Sequence, residues 1–180
     1  MRLLVAVLFG IALALPAAAR PLTPDEEAGL AKSMDIYLRA IGAGNAERIV
    51  NGIPPRILNI FAGTSGIEAK NLEKTLTDQT AAMMAGSRFT DIAADRTALD
   101  AGDATLADGT GVTWVVVPTA FTAETGGART RNAQPMLALR EDEKWYFVRI
   151  DGEQQKQMVT IAYPFLSDVT FPAATVTPAP

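Results

Sequence analysis

The hydrophobic period of the chain changes at Gly86, and that change limits the fold more than any other feature. Before it, apolar residues recur every three or four positions, as on one face of a helix. After it they alternate, as on a strand with two unlike faces. Thr23 to Ile41 reads as a helix, with Pro24 in its first turn, Asp25, Glu26 and Glu27 as its solvated start, and Leu30, Met34, Tyr37 or Leu38, and Ile41 on one stripe. Gly42 and Gly44 stop it. Asn45 caps a short helix, Ala46 to Asn51, and Pro54 and Pro55 open another turn, ILNIFAG. Ser65 and Glu68 have capping-box spacing ahead of a helix carrying Leu72, Leu76 and Met83. Met83 and Met84 read as core filler.

Past Gly86, SRFTDIAADRTALD reads as a strand and AGDATLADGTG as an irregular or hairpin segment. VTWVVVPTAFTAET is a long strand interrupted by Pro118, which marks an edge or a bulge because it has no N–H for the ladder. TGGAR turns the chain into RNAQPMLALR, and EDEK is a hairpin loop leading to WYFVRI. Asp151 and Gln154 suit the start of a last helix, EQQKQMVTIAY, closed by Pro164. Three helical segments, about four strands able to pair as a meander and one late helix make an α+β domain over residues 20–166. The Pro-, Ala- and Thr-rich end, 167–180, is expected to be a mobile tail.

Residues 1–19, MRLLVAVLFGIALALPAAA, have the basic start, apolar run and small-residue end of a secretory signal peptide. Cleavage after Ala19 is expected, with a periplasmic or secreted product of about 160 residues, which suits one domain. The apolar run is too short for the roughly 20 residues of a spanning helix, and no cysteine follows it to take a lipid. No membrane anchor is therefore expected after cleavage.

The 180 residues include no cysteine and no histidine. Zinc, copper and non-haem iron sites lean on imidazole or thiolate, so no metal or other cofactor is expected. Ser–His and Cys–His nucleophile pairs are excluded too, which leaves carboxylate, tyrosine or lysine chemistry. Sixteen basic residues, singly scattered, stand against 20 acidic ones, for a net charge of −4. Such a surface repels phosphate backbones, so no nucleic-acid partner is expected. Asp100, Asp103 and Asp108 lack the alternate spacing of a calcium loop and read as turn residues. GTSG and TGG lack the spacing of a phosphate cradle.

Two segments carry a family resemblance. YLRAIGAGNAERIV is similar to the helix, small residues, helix opening of NTF2-like domains, and KWYFVRID to the Trp-bearing strand near their C-terminal end. Over about 23–163 the chain resembles this superfamily, including exported bacterial proteins of the same layout. The resemblance implies N-terminal helices packed on a curved antiparallel sheet, a cone with a cavity inside. Tyr146, Val148 and Ile150 fall on one face of the WYFVRI strand and Trp145, Phe147 and Arg149 on the other. Helices are expected over one face, and a neighbouring subunit or the chain tail over the other.

Pocket candidates are Tyr37, Trp114 and Tyr146, with Arg149 or Arg96 at the rim to hold a carboxylate or a planar ring. The competing reading makes all the aromatics core. Trp145 and Phe147 are candidates for a sheet-to-sheet homodimer. Some NTF2-like enzymes use an aspartate base and a tyrosine acid in a dry cavity. No position here matches those catalytic residues, so none is assigned. The expected function is a non-enzymatic module that binds a small apolar or anionic molecule or a protein partner; the alternative is an Asp/Tyr-dependent isomerase or hydro-lyase.

Overall fold

The computed structural model describes residues 19–179; the expected signal peptide, apart from Ala19, lies outside them. The chain folds as β1 (Arg20–Pro21), α1 (Pro24–Gly42), α2 (Ala46–Val50), α3 (Pro55–Ser65), α4 (Ala69–Ala85), β2 (Ser87–Ala94), β3 (Asp100–Thr105), β4 (Gly111–Thr125), β5 (Ala128–Glu141), β6 (Lys144–Arg149), α5 (Glu153–Ala162), a 3-10 turn (Pro164–Leu166) and β7 (Thr175–Pro178). It is a mixed α+β structure with one seven-stranded antiparallel sheet. None of the helices among the described residues is long and apolar enough to cross a membrane.

The frame of the sheet is the β4–β5 hairpin, paired from Thr113–Arg140 to Thr125–Ala128 across a Gly126–Gly127 turn. Both turn glycines have positive φ, as a tight two-residue hairpin requires. At the far end Asp142 and Glu143 adopt the same left-handed backbone without glycine, closing β5 onto β6. Each long strand has two different neighbours along its outer side. β3 pairs with the first half of β4 and β2 with the second; β6 pairs with the end of β5 and β7 with its beginning.

The change of neighbours falls at Pro118, directly opposite Pro135. The carbonyls of both prolines point outward, accepting from the N–H groups of Asp95 and Ile150. Their missing N–H groups therefore face outward as well, away from the β4–β5 ladder. Pro118 thus sits in an interior strand, at a gap between two flanking strands rather than at an edge. In β2 the register shifts between Thr90 and Ala93, where Asp91 has positive φ, a bulge that bends the strand.

Both faces of the sheet are covered by this chain itself. Leu30, Met34 and Tyr37 of α1 pack on Val115, Val117, Met136, Ala138, Trp145 and Phe147. On the other face Ile57 of α3, Val159 of α5, Tyr163 and Leu166 pack on Val112, Leu137, Leu139, Val148 and Ile150. The alternation of residues 145–150 is as expected, but the second cover is helical, not a subunit or the tail. The tail is not wholly free either: Thr175–Pro178 pairs with Thr130–Ala133.

Three local expectations change. Gly66, left-handed at φ 67°, ends α3, and Ser65 belongs to that last turn, donating to the Phe61 carbonyl; no side chain caps α4. Gly152, not Asp151, precedes α5. Glu26 is not solvated: it is 7% exposed, completes a capping box with Thr23 and is clamped by Arg20.

Candidate functional site

On the α1 face the core is solid at one end and hollow at the other. Near the start of α1 the Trp145 indole fills the space so closely that a Cβ on Gly29 would lie 3.2 Å from its nitrogen. Towards the end of α1, beside the bulge in β2, a cavity of about 170 Å³ opens. Its walls are Tyr37, Leu38 and Ile41 of α1, Ile49 of α2, Thr80, Met83 and Met84 of α4, and the sheet residues Ile92, Thr119, Phe121, Gln134, Met136 and Arg149. For scale, an apolar cavity of about 150 Å³ accepts a benzene molecule.

Sheet register decides which side chains meet there. Met136 stands opposite Arg149 on one rung, and Gln134 stands opposite Thr119 two residues along the same face. Thr119 is buried and donates to the Gln134 carbonyl at 2.9 Å. The Gln134 amide has no hydrogen bond among the described residues, and neither does the Tyr37 hydroxyl. Tyr37 is held by packing: its ring lies 4.9 Å from that of Phe147 and against Gly52, where a Cβ would come within 2.8 Å of the ring. Gly52 in turn accepts the Phe147 N–H, which locks the α2–α3 connection to β6.

Burial pushes the Tyr37 phenol up to about 12, with the Arg149 charge pulling the other way. The phenol stays a hydrogen-bond donor at neutral pH, and Arg149 lines the same cavity. Arg149 is 48% exposed at the rim and forms an ion pair with Asp151 at 2.7 Å. Among the described lining residues it is the only charged one, and no carboxylate lines the cavity. The walls are thus apolar side chains with hydroxyl, amide and guanidinium groups among them.

Of the five pocket candidates, the structure brings together Tyr37 and Arg149. Trp114 and Tyr146 share a rung with Leu139 on the opposite face of the sheet. Trp114 lies flat across Gly102, where a Cβ would come within 2.4 Å of the indole, and its Nε1 is buried without a partner among the described residues. Tyr146 lies under the Lys144 ammonium at 4.6 Å. Arg96 is outside the cavity, paired with Asp35 at 3.1 Å. Trp145 and Phe147, the interface candidates, are buried beneath α1 within this chain. Met83 and Met84 are not core filler: Met83 is 58% exposed, and both form the cavity roof.

Thr80, Ile92, Thr119, Phe121 and Gln134 were missed from sequence. The available signal was alternation: Thr119 and Phe121, like Gln134 and Met136, are two apart and share a face.

A second polar cluster closes the opposite face and has a structural role. Glu141, buried at the end of β5, accepts from the Tyr163 hydroxyl and from Arg56 Nε at 3.1 Å. Arg56 also binds Asp108 at 2.7 Å and Thr110 at 3.2 Å in the β3–β4 turn. The Thr110 backbone N–H, with Arg56, holds Asp108 at about 2. Burial, reinforced by Glu141, pushes the Tyr163 phenol far above its ordinary value. Every polar atom named in this cluster has a partner, and none of these residues lines the cavity. No protein-family model, curated protein or solved structure matches the chain.

Proposed function

We propose that the chain is an exported NTF2-like cone that binds a small, mainly apolar molecule with one anionic or hydrogen-bond-accepting end. The observation that carries this reading is the cavity beside α1, with a partnerless Tyr37 hydroxyl and Gln134 amide and an Arg149 guanidinium among apolar walls. The Tyr37 hydroxyl and the Gln134 amide have no protein partner among the described residues, and with the Arg149 guanidinium they offer donors that a carboxylate can accept. The apolar body of the ligand lies against Leu38, Ile41, Met84 and Phe121. Isomerase or hydro-lyase chemistry is less well supported. Tyr37 could serve as an acid, but the described cavity lining has no carboxylate to act as the base. Export rests on the composition of residues 1–19.

Thermal shift and calorimetry with octanoate, benzoate and their neutral amides test the reading. Saturable binding that Thr80→Leu abolishes, with the fold intact, is the expected result. No stabilisation by any of these probes, or equal binding after the cavity is filled, sinks it. N-terminal sequencing of the exported protein tests cleavage after Ala19.

A further inference from the structure

We propose that Asp151 is a specificity residue of the cavity, an internal carboxylate that competes with the ligand for Arg149. The inference rests on the ligand-binding reading above and adds what sets its selectivity. Arg149 ends β6 on the same face as Phe147, so its guanidinium reaches the rim of the hollow. One of its terminal nitrogens lies 2.7 Å from Asp151 Oδ2, and no other protein acceptor meets the group among the described residues. A guanidinium presents five N–H donors in a fork. One carboxylate oxygen leaves most of that fork unused, but it cancels much of the positive charge the rim would otherwise show.

The Asp151 carboxylate has no second task in the described structure. It does not cap α5, whose preceding residue is Gly152 and whose first turn has no side-chain cap bond. Its one described partner is Arg149. A ligand carboxylate must either share the fork with Asp151, two like charges a few ångströms apart, or displace it. A neutral amide or ketone meets neither obstacle. Asp151 therefore narrows the preference for anions over neutral molecules of the same shape. If the pair were only a fastener between β6 and α5, removing its charge would change stability and leave selectivity alone.

The test is calorimetry at low ionic strength with octanoate and octanamide on the full chain, using wild type, Asp151→Asn, Arg149→Met and the double variant. Asp151→Asn should bind octanoate roughly three- to tenfold more tightly, the scale set by an ion pair that is partly exposed. Octanamide affinity should stay within about twofold. In the Arg149→Met background the same aspartate change should do nothing, and a thermal melt of each variant separates folding from binding. Unchanged or weaker octanoate binding in Asp151→Asn overturns the competitor while leaving the cavity reading in place. If neither probe binds the wild type, the cavity reading fails and takes this inference with it.

Discussion

The two faces of one sheet are covered in different ways. On the α3–α5 face, Leu137, Leu139, Val159 and Leu166 are fully buried, and the buried Glu141 carboxylate is met by both Tyr163 and Arg56, while Trp114 Nε1 is buried there without a partner among the described residues. On the α1 face a hollow lies beside the β2 bulge, and the Tyr37 hydroxyl and Gln134 amide next to it have no protein partner among the described residues. The strands, and so the backbone geometry, are shared. The difference lies in the cover: α3, α5 and the 3-10 turn sit directly on the sheet, whereas α4 buries only Leu72 among its described side chains and rests over the hollow by Thr80, Met83 and Met84. The proposed ligand site is on the loosely covered face, and the Glu141 cluster ties the other face together.

The contrast is most exposed to a pair of truncations. Leu137→Ala, in the middle of the filled face, should cost about 3 kcal/mol, within the range for buried leucines. Ile92→Ala at the hollow should cost no more than about 1 kcal/mol, since one side of that residue already lacks packing partners. Urea unfolding of both measures the gap, and equal losses would mean the hollow is not one.

Removing a hydroxyl from each face sharpens the comparison. Tyr163→Phe takes the buried donor from Glu141 and should cost about 2 kcal/mol in the same melts. Tyr37→Phe removes a hydroxyl with no described partner, so stability should move by less than about 0.5 kcal/mol while carboxylate binding weakens. A large destabilisation by Tyr37→Phe would break the distinction.

The solid end of the α1 face predicts a pH response. Arg20 clamps Glu26 and holds it at about 2, well below its ordinary 4.5. The folded value is depressed, so the stabilisation is fully present above about 4.5 and is lost as pH falls towards 2. Discounted for the solvent around Arg20, the loss is about 1–2 kcal/mol. Glu26→Gln should flatten the stability–pH curve through that window; an unchanged slope would show that the clamp contributes nothing. Thr80→Leu, which fills the hollow, should change stability by less than about 1 kcal/mol while abolishing binding. A destabilisation of core-truncation size would mean that there was no space to fill.

Elements set by local chemistry were legible in the sequence. The change of period at Gly86 marks the start of β2, the TGG and EDEK stretches are both two-residue turns, and strict alternation placed Trp145 and Phe147 opposite Val148 and Ile150. What failed was non-local. Tyr146 and Arg149 lie an odd number of positions apart, so one strand could not aim both into one pocket; grouping them ignored the alternation. Trp114 could be placed only once its rung with Leu139 and Tyr146 was known. Glu26 looked like a solvated first-turn acid because its partner Arg20 is supplied by a two-residue strand pairing with β3. Gln134 and Thr119 carry no apolar signal, and their place in the cavity wall follows from the β4–β5 register, which puts them opposite one another on the α1 face.

The facing prolines at positions 118 and 135 have a mechanical consequence. With no amide hydrogen on either outer side, no flanking strand can cross that line in continuous register, so the ribbon has a built-in seam. The cavity floor straddles it, Met136 on one side and Thr119 and Gln134 on the other. The rungs of the central β4–β5 ladder run unbroken through that seam, from Thr113–Arg140 to Thr125–Ala128.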